Sequence, residues 1–189
     1  MSSPSRWDGE RARTYDTKWK QMAAAGQNPH GEVDFVAQLE PSSVLDAGCG
    51  TGRVAIEFAR RGVDVVGSDI DPQMLAQAEA NAPELTWVQS DLAALDLQRT
   101  FDAVVLAGNI ILFVVPGTEA AVVQGAARHV GVGGYMVAGF SLGRGVTAED
   151  WESWLRHAGL DPVERLSTWN GDAFDQASNY LVSVARRSP

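Results

Sequence analysis

The chain has 189 residues, 45% hydrophobic and 21% charged, with a formal net charge of −9 and an isoelectric point near 4.7. That length suits one well-buried α/β domain rather than two, and the negative balance argues against the phosphate-neutralising surface that tight DNA or RNA binding needs. A lone cysteine, Cys49, excludes an intrachain disulfide and a multi-cysteine zinc site; with no transmembrane-length apolar run and no signal-peptide pattern at Met1–Pro4, a cytoplasmic location and no membrane partner are expected.

In chain order, Asp8 is placed to cap a helix whose one face carries Tyr15, Trp19 and Met22. Gly26-Gln27-Asn28-Pro29 ends it. A short helix from Glu32 to Leu39 presents Val33, Val36 and Ala37 and stops before Pro41. Val44 to Arg53, VLDAGCGTGR, then reads as a strand, a glycine-dense turn and the start of a helix bearing Val54, Ile56 and Phe58. Strand, glycine turn and helix in that order make a nucleotide-binding elbow. Gly48 and Gly50 permit a tight bend against which a ligand can lie, and free N–H groups at the helix start are expected to face the turn. The dinucleotide fingerprint requires a further glycine where this chain has Arg53.

Gly62 supplies a left-handed stop, and the strand Val63–Ser68 leads to Asp69. A carboxylate there offers two acceptor oxygens to the ribose hydroxyls of an adenosine. Asp71-Pro72 reads instead as a helix start, with Asp71 the N-cap, and Met74, Leu75 and Ala78 line that helix's inner face up to Pro83. Leu85–Gln89 is the third strand, followed by Ser90-Asp91-Leu92. Phe101–Ala107 is the fourth, a nearly continuous apolar run buried on both faces, opening into Gly108-Asn109-Ile110. Ligands bind beyond the carboxyl ends of such strands, so Ala107–Asn109 should border the reaction centre. A helix Thr118–His129 is closed by Gly131–Gly134, and Tyr135–Ser141 follows as the fifth strand. Thr147 and Asp150 approximate a capping box for a helix that buries Trp151, Trp154, Leu155 and Ala158 and stops at Gly159. Val163–Trp169 and Tyr180–Ala185 read as strands with no helix between them and a reverse turn at Asn170-Gly171, a closing antiparallel pair. His129 and His157 fall at helix ends, where a cation suits the dipole. No cluster has metal-ligand spacing.

The run Asp46, Gly48, Gly50, Gly52 resembles motif I of the class I S-adenosylmethionine-dependent methyltransferases, Asp/Glu-x-Gly-x-Gly-x-Gly. The resemblance implies an α/β fold with a doubly wound, Rossmann-like, mostly parallel sheet and a closing antiparallel strand. It divides one structural domain into an N-terminal helical lid segment, 1–40, and a cofactor-binding part, 41–189. S-adenosylmethionine is the implied cofactor, with S-adenosylhomocysteine its product. The implied contacts are Asp46, Ala47, Gly48, Cys49, Gly50, Gly52, Asp69, Ile70, Met74, Asp91, Leu92, Ala107 and Tyr15. Within that set Asp69 takes the ribose, Asp91 accepts from the adenine amino group, and Leu92 offers a backbone N–H. Plainer readings stand beside these: core packing for Met74 and the N-terminal aromatics, and capping of the next turn for Asp91.

Asn109 and His30 are the candidates for acceptor positioning and for a general base. Strand termination for Asn109 and a solvated loop for His30 are their alternatives. The Asn/Asp-Pro-Pro-Tyr/Phe motif of adenine-type nucleic-acid methyltransferases is replaced here by Gly108-Asn109-Ile110-Ile111, so a small-molecule acceptor and no nucleic acid are expected. A non-catalytic S-adenosylmethionine-binding regulator keeps the same glycine motif. An NAD-dependent oxidoreductase is disfavoured by Arg53 and by the closing strand pair.

Overall fold

The computed structural model describes residues 17–188. Two short helices come first, α1 (Thr17–Ala24) and α2 (Gly31–Ala37). There follow β1 (Ser43–Ala47), α3 (Arg53–Arg60), β2 (Asp64–Asp69), α4 (Pro72–Asn81), β3 (Thr86–Gln89) and β4 (Phe101–Leu106). The second half contains α5 (Glu119–Ala127), β5 (Val130–Ser141), α6 (Ala148–His157), β6 (Asp161–Leu166) and β7 (Tyr180–Arg186). Asp8 and Tyr15, on which the first expected helix and one implied cofactor contact rest, lie outside the described residues.

The strands form one sheet in the order β3-β2-β1-β4-β5-β7-β6. Pairing is parallel from β3 to β5, and β7 is antiparallel to both of its neighbours. The strand order reverses at β1, which has β2 on one side and β4 on the other, so the ligand crevice opens beyond their carboxyl ends. Apolar runs in β1 and β4 reflect burial on both faces: Val44, Leu45, Val104 and Val105 are all 0% exposed. One face is covered by Val33 and Val36 of α2 with Val54 and Phe58 of α3. The other is covered by Val122, Val123 and Ala126 of α5 with Trp151 and Leu155 of α6, Trp151 meeting Phe140 edge-on at 5.3 Å.

Local chemistry sets the helix ends. Asp71 accepts from the N–H groups of Gln73 and Met74 with Pro72 at the first helical position, and Thr147 and Asp150 cap α6 reciprocally. Gly62 and Gly159 take φ of 82° and 76° just past α3 and α6.

Three expectations are corrected. Gly131–Gly134, read as a helix stop, is the start of β5: the strand begins at Val130 beside Phe101 and shifts register before Tyr135 pairs with Ala103. Its glycines are held from a distance, Gly133 N–H donating to the carbonyl of Arg187 at 2.8 Å and Arg187 N–H to that of Gly134 at 2.9 Å. Trp169 is not in a strand: β6 ends at Leu166, and the chain folds Trp169 back over Gly139 of β5. His129 is no helix-end cation. It is 3% exposed, accepts the Leu97 N–H on Nε2 at 3.0 Å, and lies 3.0 Å from the Gly125 carbonyl through Nδ1. Burial lowers its pKa, so it is a neutral Nδ1–H imidazole locked into the core.

Candidate functional site

β1 runs into the turn Gly48–Gly52, where Gly48, Gly50 and Gly52 take φ of 84°, 55° and 85°. The N–H groups of its three glycines and of Cys49 are spent inside the protein. Gly48 and Cys49 donate to the Ser68 carbonyl at 2.7 and 2.9 Å, Gly50 donates to Asp69 Oδ2 at 2.8 Å, and Gly52 donates to the Cys49 carbonyl at 3.0 Å. One turn into α3, Ala55 N–H donates to a carboxylate oxygen of Asp46 at 3.1 Å. The four turn donors are taken because the end of β2 lies alongside, and a buried N–H pairs with the nearest acceptor. Among the described residues no acceptor stands against the first helical N–H groups, those of Arg53 and Val54, as expected of a helix start. The glycines of the turn therefore offer a bare backbone surface whose own donors face into the protein. Asp46 is 2% exposed and sits behind the turn, and burial pushes its pKa up to about 7.

Crowding constrains Gly48 and Gly52, whereas at Gly50 a side chain would meet only ordinary contact. A Cβ on Gly48 would stand 2.6 Å from Ile110 Cδ1, and one on Gly50 would stand 3.4 Å from Met74 Cε. At Gly52 it would stand 2.5 Å from Trp87 Cη2, and the Trp87 ring is pinned by its own Nε1–H bond to the Ala82 carbonyl at 2.9 Å. Gly52 thus accommodates the packing of Trp87. Gly52→Ala, combining left-handed strain with overpacking, is expected to cost about 1–3 kcal/mol; an unchanged melting temperature would contradict this account of the third glycine.

Asp69 stands half-buried at the end of β2 with both oxygens engaged, Oδ2 by Gly50 N–H and Oδ1 by Asp71 N–H at 2.9 Å. Burial raises its pKa against those bonds. Each oxygen keeps a second lone pair. Next to it Ile70 is 59% exposed, an apolar surface at the crevice edge, while Met74 is 4% exposed behind Gly50. Asp91 is exposed and accepts from Ala93 N–H at 2.9 Å, capping the turn Leu92–Ala94, with Leu92 itself buried. Ala47 is fully buried in the core, Ala107 half-buried. Burial holds the Cys49 thiol well above its ordinary pKa, which makes it inert.

Gly108, at φ 80°, has open space where a side chain would project. Asn109, at φ 69°, ties β4 to β5: its N–H donates to the Gly139 carbonyl at 3.0 Å and its Oδ1 accepts from Ser141 N–H at 2.7 Å. The structure does not bring His30 to Asn109. His30 precedes α2, with Nε2 3.8 Å from a Glu57 carboxylate oxygen and Nδ1 buried without a hydrogen bond. Burial lowers its pKa.

Sequence reasoning missed the neighbours of Gly139. Because β7 is antiparallel, its first residue, Tyr180, pairs with Ser141 at the carboxyl end of β5. Its hydroxyl stands 2.7 Å from where a Gly139 Cβ would be, and it accepts a bond from Trp169 Nε1–H at 3.3 Å. Burial pushes the Tyr180 phenol up, which keeps it a donor. The closing strand pair carried that signal, since an antiparallel last strand begins where β5 ends. Among the described residues, no group of three His, Cys, Asp or Glu side chains could hold a metal ion.

Comparison with known proteins agrees with this geometry. The family model described as "Methyltransferase domain" matches residues 44–134. The chain is 40% identical over 78 residues to the magnesium-protoporphyrin O-methyltransferase of Rhodobacter capsulatus, covering 39% of this chain and 34% of the relative. It is 31% identical over 137 residues to the cypemycin N-terminal methyltransferase of a Streptomyces species, covering 71% and 56%. These matches thus span only about a third to a half of the relatives' own lengths. A TehB-like S-adenosylmethionine-dependent methyltransferase structure from Corynebacterium glutamicum superposes with a TM-score of 0.88 at 32% identity, covering 96% of this chain and all of that one. With that full-length match on top of the glycine turn and the sheet order, the chain belongs to the S-adenosylmethionine-dependent methyltransferases.

Proposed function

We propose that the protein transfers the methyl group of S-adenosylmethionine to a small-molecule acceptor. The observation that carries this reading is the spent glycine turn. A dinucleotide needs free N–H groups for its pyrophosphate, whereas here Ser68, Asp69 and Cys49 consume those of Gly48, Cys49, Gly50 and Gly52, and Asp46 takes that of Ala55. A cofactor without phosphates fits such a turn. Gly50 and Gly108 leave room for close approach, and Asp69 retains lone pairs for ribose hydroxyls. Ile70 provides an apolar surface for the adenine, and the exposed Asp91, two residues past β3, is the acceptor assigned to its amino group.

When bound, the cofactor supplies an electrophilic methyl on a cationic sulfur. The chain's part is to align and to exclude water. Asn109 fixes the ends of β4 and β5 relative to each other, and its amide nitrogen, uncommitted among the described residues, is left to orient an acceptor. The Tyr180 hydroxyl, held by Trp169 over Gly139, is a second donor at the same edge. The small-molecule acceptor is supported by the porphyrin-acting relative and by the net charge of −9, which disfavours nucleic acid. None of the described helices is long and apolar enough to cross a membrane. A cytoplasmic location remains our reading of the single buried cysteine.

At a hundredfold excess over its dissociation constant, S-adenosylhomocysteine is expected to stabilise the protein by about 2.7 kcal/mol, a melting shift on the order of 4–10 °C. NAD is expected to give none. A shift with NAD and none with the sulfur ligand would overturn the assignment.

A further inference from the structure

Arg53 opens α3 directly after Gly52, at the positive end of the helix dipole, where a cation is electrostatically misplaced. Its guanidinium is nevertheless held on several sides. Nη2 and Nη1 donate to the two carboxylate oxygens of Glu32 at 2.7 and 3.1 Å, Nη1 also donates to the Pro29 carbonyl, and the Trp19 ring centre lies 3.9 Å from Cζ. The ion pair is buried, with Arg53 and Glu32 side chains 14% and 9% exposed. Burying two charges costs desolvation that apolar packing would not, so the worth of this pair lies in what it positions.

The guanidinium touches α1 through Trp19, the α1–α2 linker through Pro29 and α2 through Glu32, while its own backbone continues the glycine turn. α2 is fixed independently, since Val33 and Val36 are fully buried. The described part of α1 meets the guanidinium through Trp19. Thr17, Gln21 and Ala24 are exposed, and the exposed linker after it passes through Gly26 at φ 72° with open space around it. A helix that stacks on the residue next to the turn, followed by a glycine linker, is a cover with a hinge.

We propose that Arg53 is a positioning residue that latches α1 over the cofactor turn by stacking on Trp19, so that breaking this contact gates cofactor exchange. The inference rests on the cofactor reading above. Its test measures association and dissociation rates of S-adenosylhomocysteine by surface plasmon resonance on the unchanged protein, on Arg53→Met/Glu32→Gln, which removes both charges together, and on Trp19→Leu, which leaves the ion pair intact. Both rates are expected to rise about tenfold in each variant, the scale of one well-formed cation–π contact, while their ratio moves much less. Hydrogen exchange in α1 is expected to speed up without change in β1 or β4. If the double variant does not fold, Trp19→Leu decides alone. Unchanged rates overturn the latch. A faster dissociation with no change in association also overturns it, because that pattern marks a lost ligand contact rather than a gate. Absence of binding by the unchanged protein overturns the cofactor reading and the latch together, whereas binding with unaltered variant rates removes the latch only.

Discussion

Replacing Asp46 by Asn is expected to flatten most of the fall in apo-protein stability that the unchanged chain shows as pH rises from about 4 to about 7. Asp46 is fully enclosed, and burial lifts its pKa from 3.8 to about 7 against the single backbone bond from Ala55. Between those values the folded chain keeps a proton there that the unfolded chain has released. Folding is therefore favoured at the acid end of the window and loses that advantage as pH climbs through the folded pKa. The difference amounts to as much as about 4 kcal/mol. An Asn keeps an oxygen for the Ala55 N–H but does not titrate, so the variant should match the unchanged protein near pH 4 and exceed it above pH 7. Asp69, also raised by burial, leaves a residual slope of the same sign, and His30 and His129, lowered by burial, add slopes of the opposite sign to both proteins alike. Denaturant melts at four or five pH values decide the matter, and parallel profiles for the two proteins would show that Asp46 is ionised throughout.

Asp69→Ala and Asp71→Ala are expected to fail differently. Asp69→Ala removes the charged acceptor offered to the ribose, and hydrogen bonds to charged groups contribute roughly 1.5–3 kcal/mol, so cofactor affinity should drop about tenfold to a hundredfold. Read from the sequence alone, that change leaves the melting of the apo protein almost as before. The structure says otherwise: the N–H groups of Gly50 and Asp71 both lose their acceptor, which adds a stability cost of about 1–3 kcal/mol. Asp71→Ala removes the acceptor for Gln73 and Met74 at the head of α4 and should cost about 1 kcal/mol with little change in affinity. Titration calorimetry with S-adenosylhomocysteine and apo melting curves separate the two. Cofactor loss in Asp71→Ala with retention in Asp69→Ala would reverse the assignment.

What the sequence made legible is what local chemistry determines. The β1 turn, the Asp71-Pro72 start, the Thr147–Asp150 box and the glycine stops at 62 and 159 each depend on residues within a few positions of one another. What it hid depends on partners far along the chain. Gly131–Gly134 looks like a loop until Arg187 pairs with it, and His129 looks like a helix-end cation until Leu97 claims its ring. The donors of the glycine turn look available because Ser68 and Asp69, which consume them, belong to the next strand. Likewise nothing near Arg53 in sequence announces Glu32, and nothing near Tyr180 announces the bare backbone of Gly139.

The position of β7 bears on how the chain is made. β6 pairs with β7 and with no other strand, yet β7 is synthesised after it. While translation proceeds, Asp161–Leu166 has no place in the sheet until Tyr180–Arg186 has emerged and inserted beside β5. At ordinary elongation rates that wait is on the order of seconds, long enough for an unpaired strand to find a wrong partner. The composition of β6 meets this hazard: Pro162 withholds a donor, and Asp161, Glu164 and Arg165 place charge along the strand. The same residues that make β6 a protected sheet edge in the finished protein guard it on the ribosome.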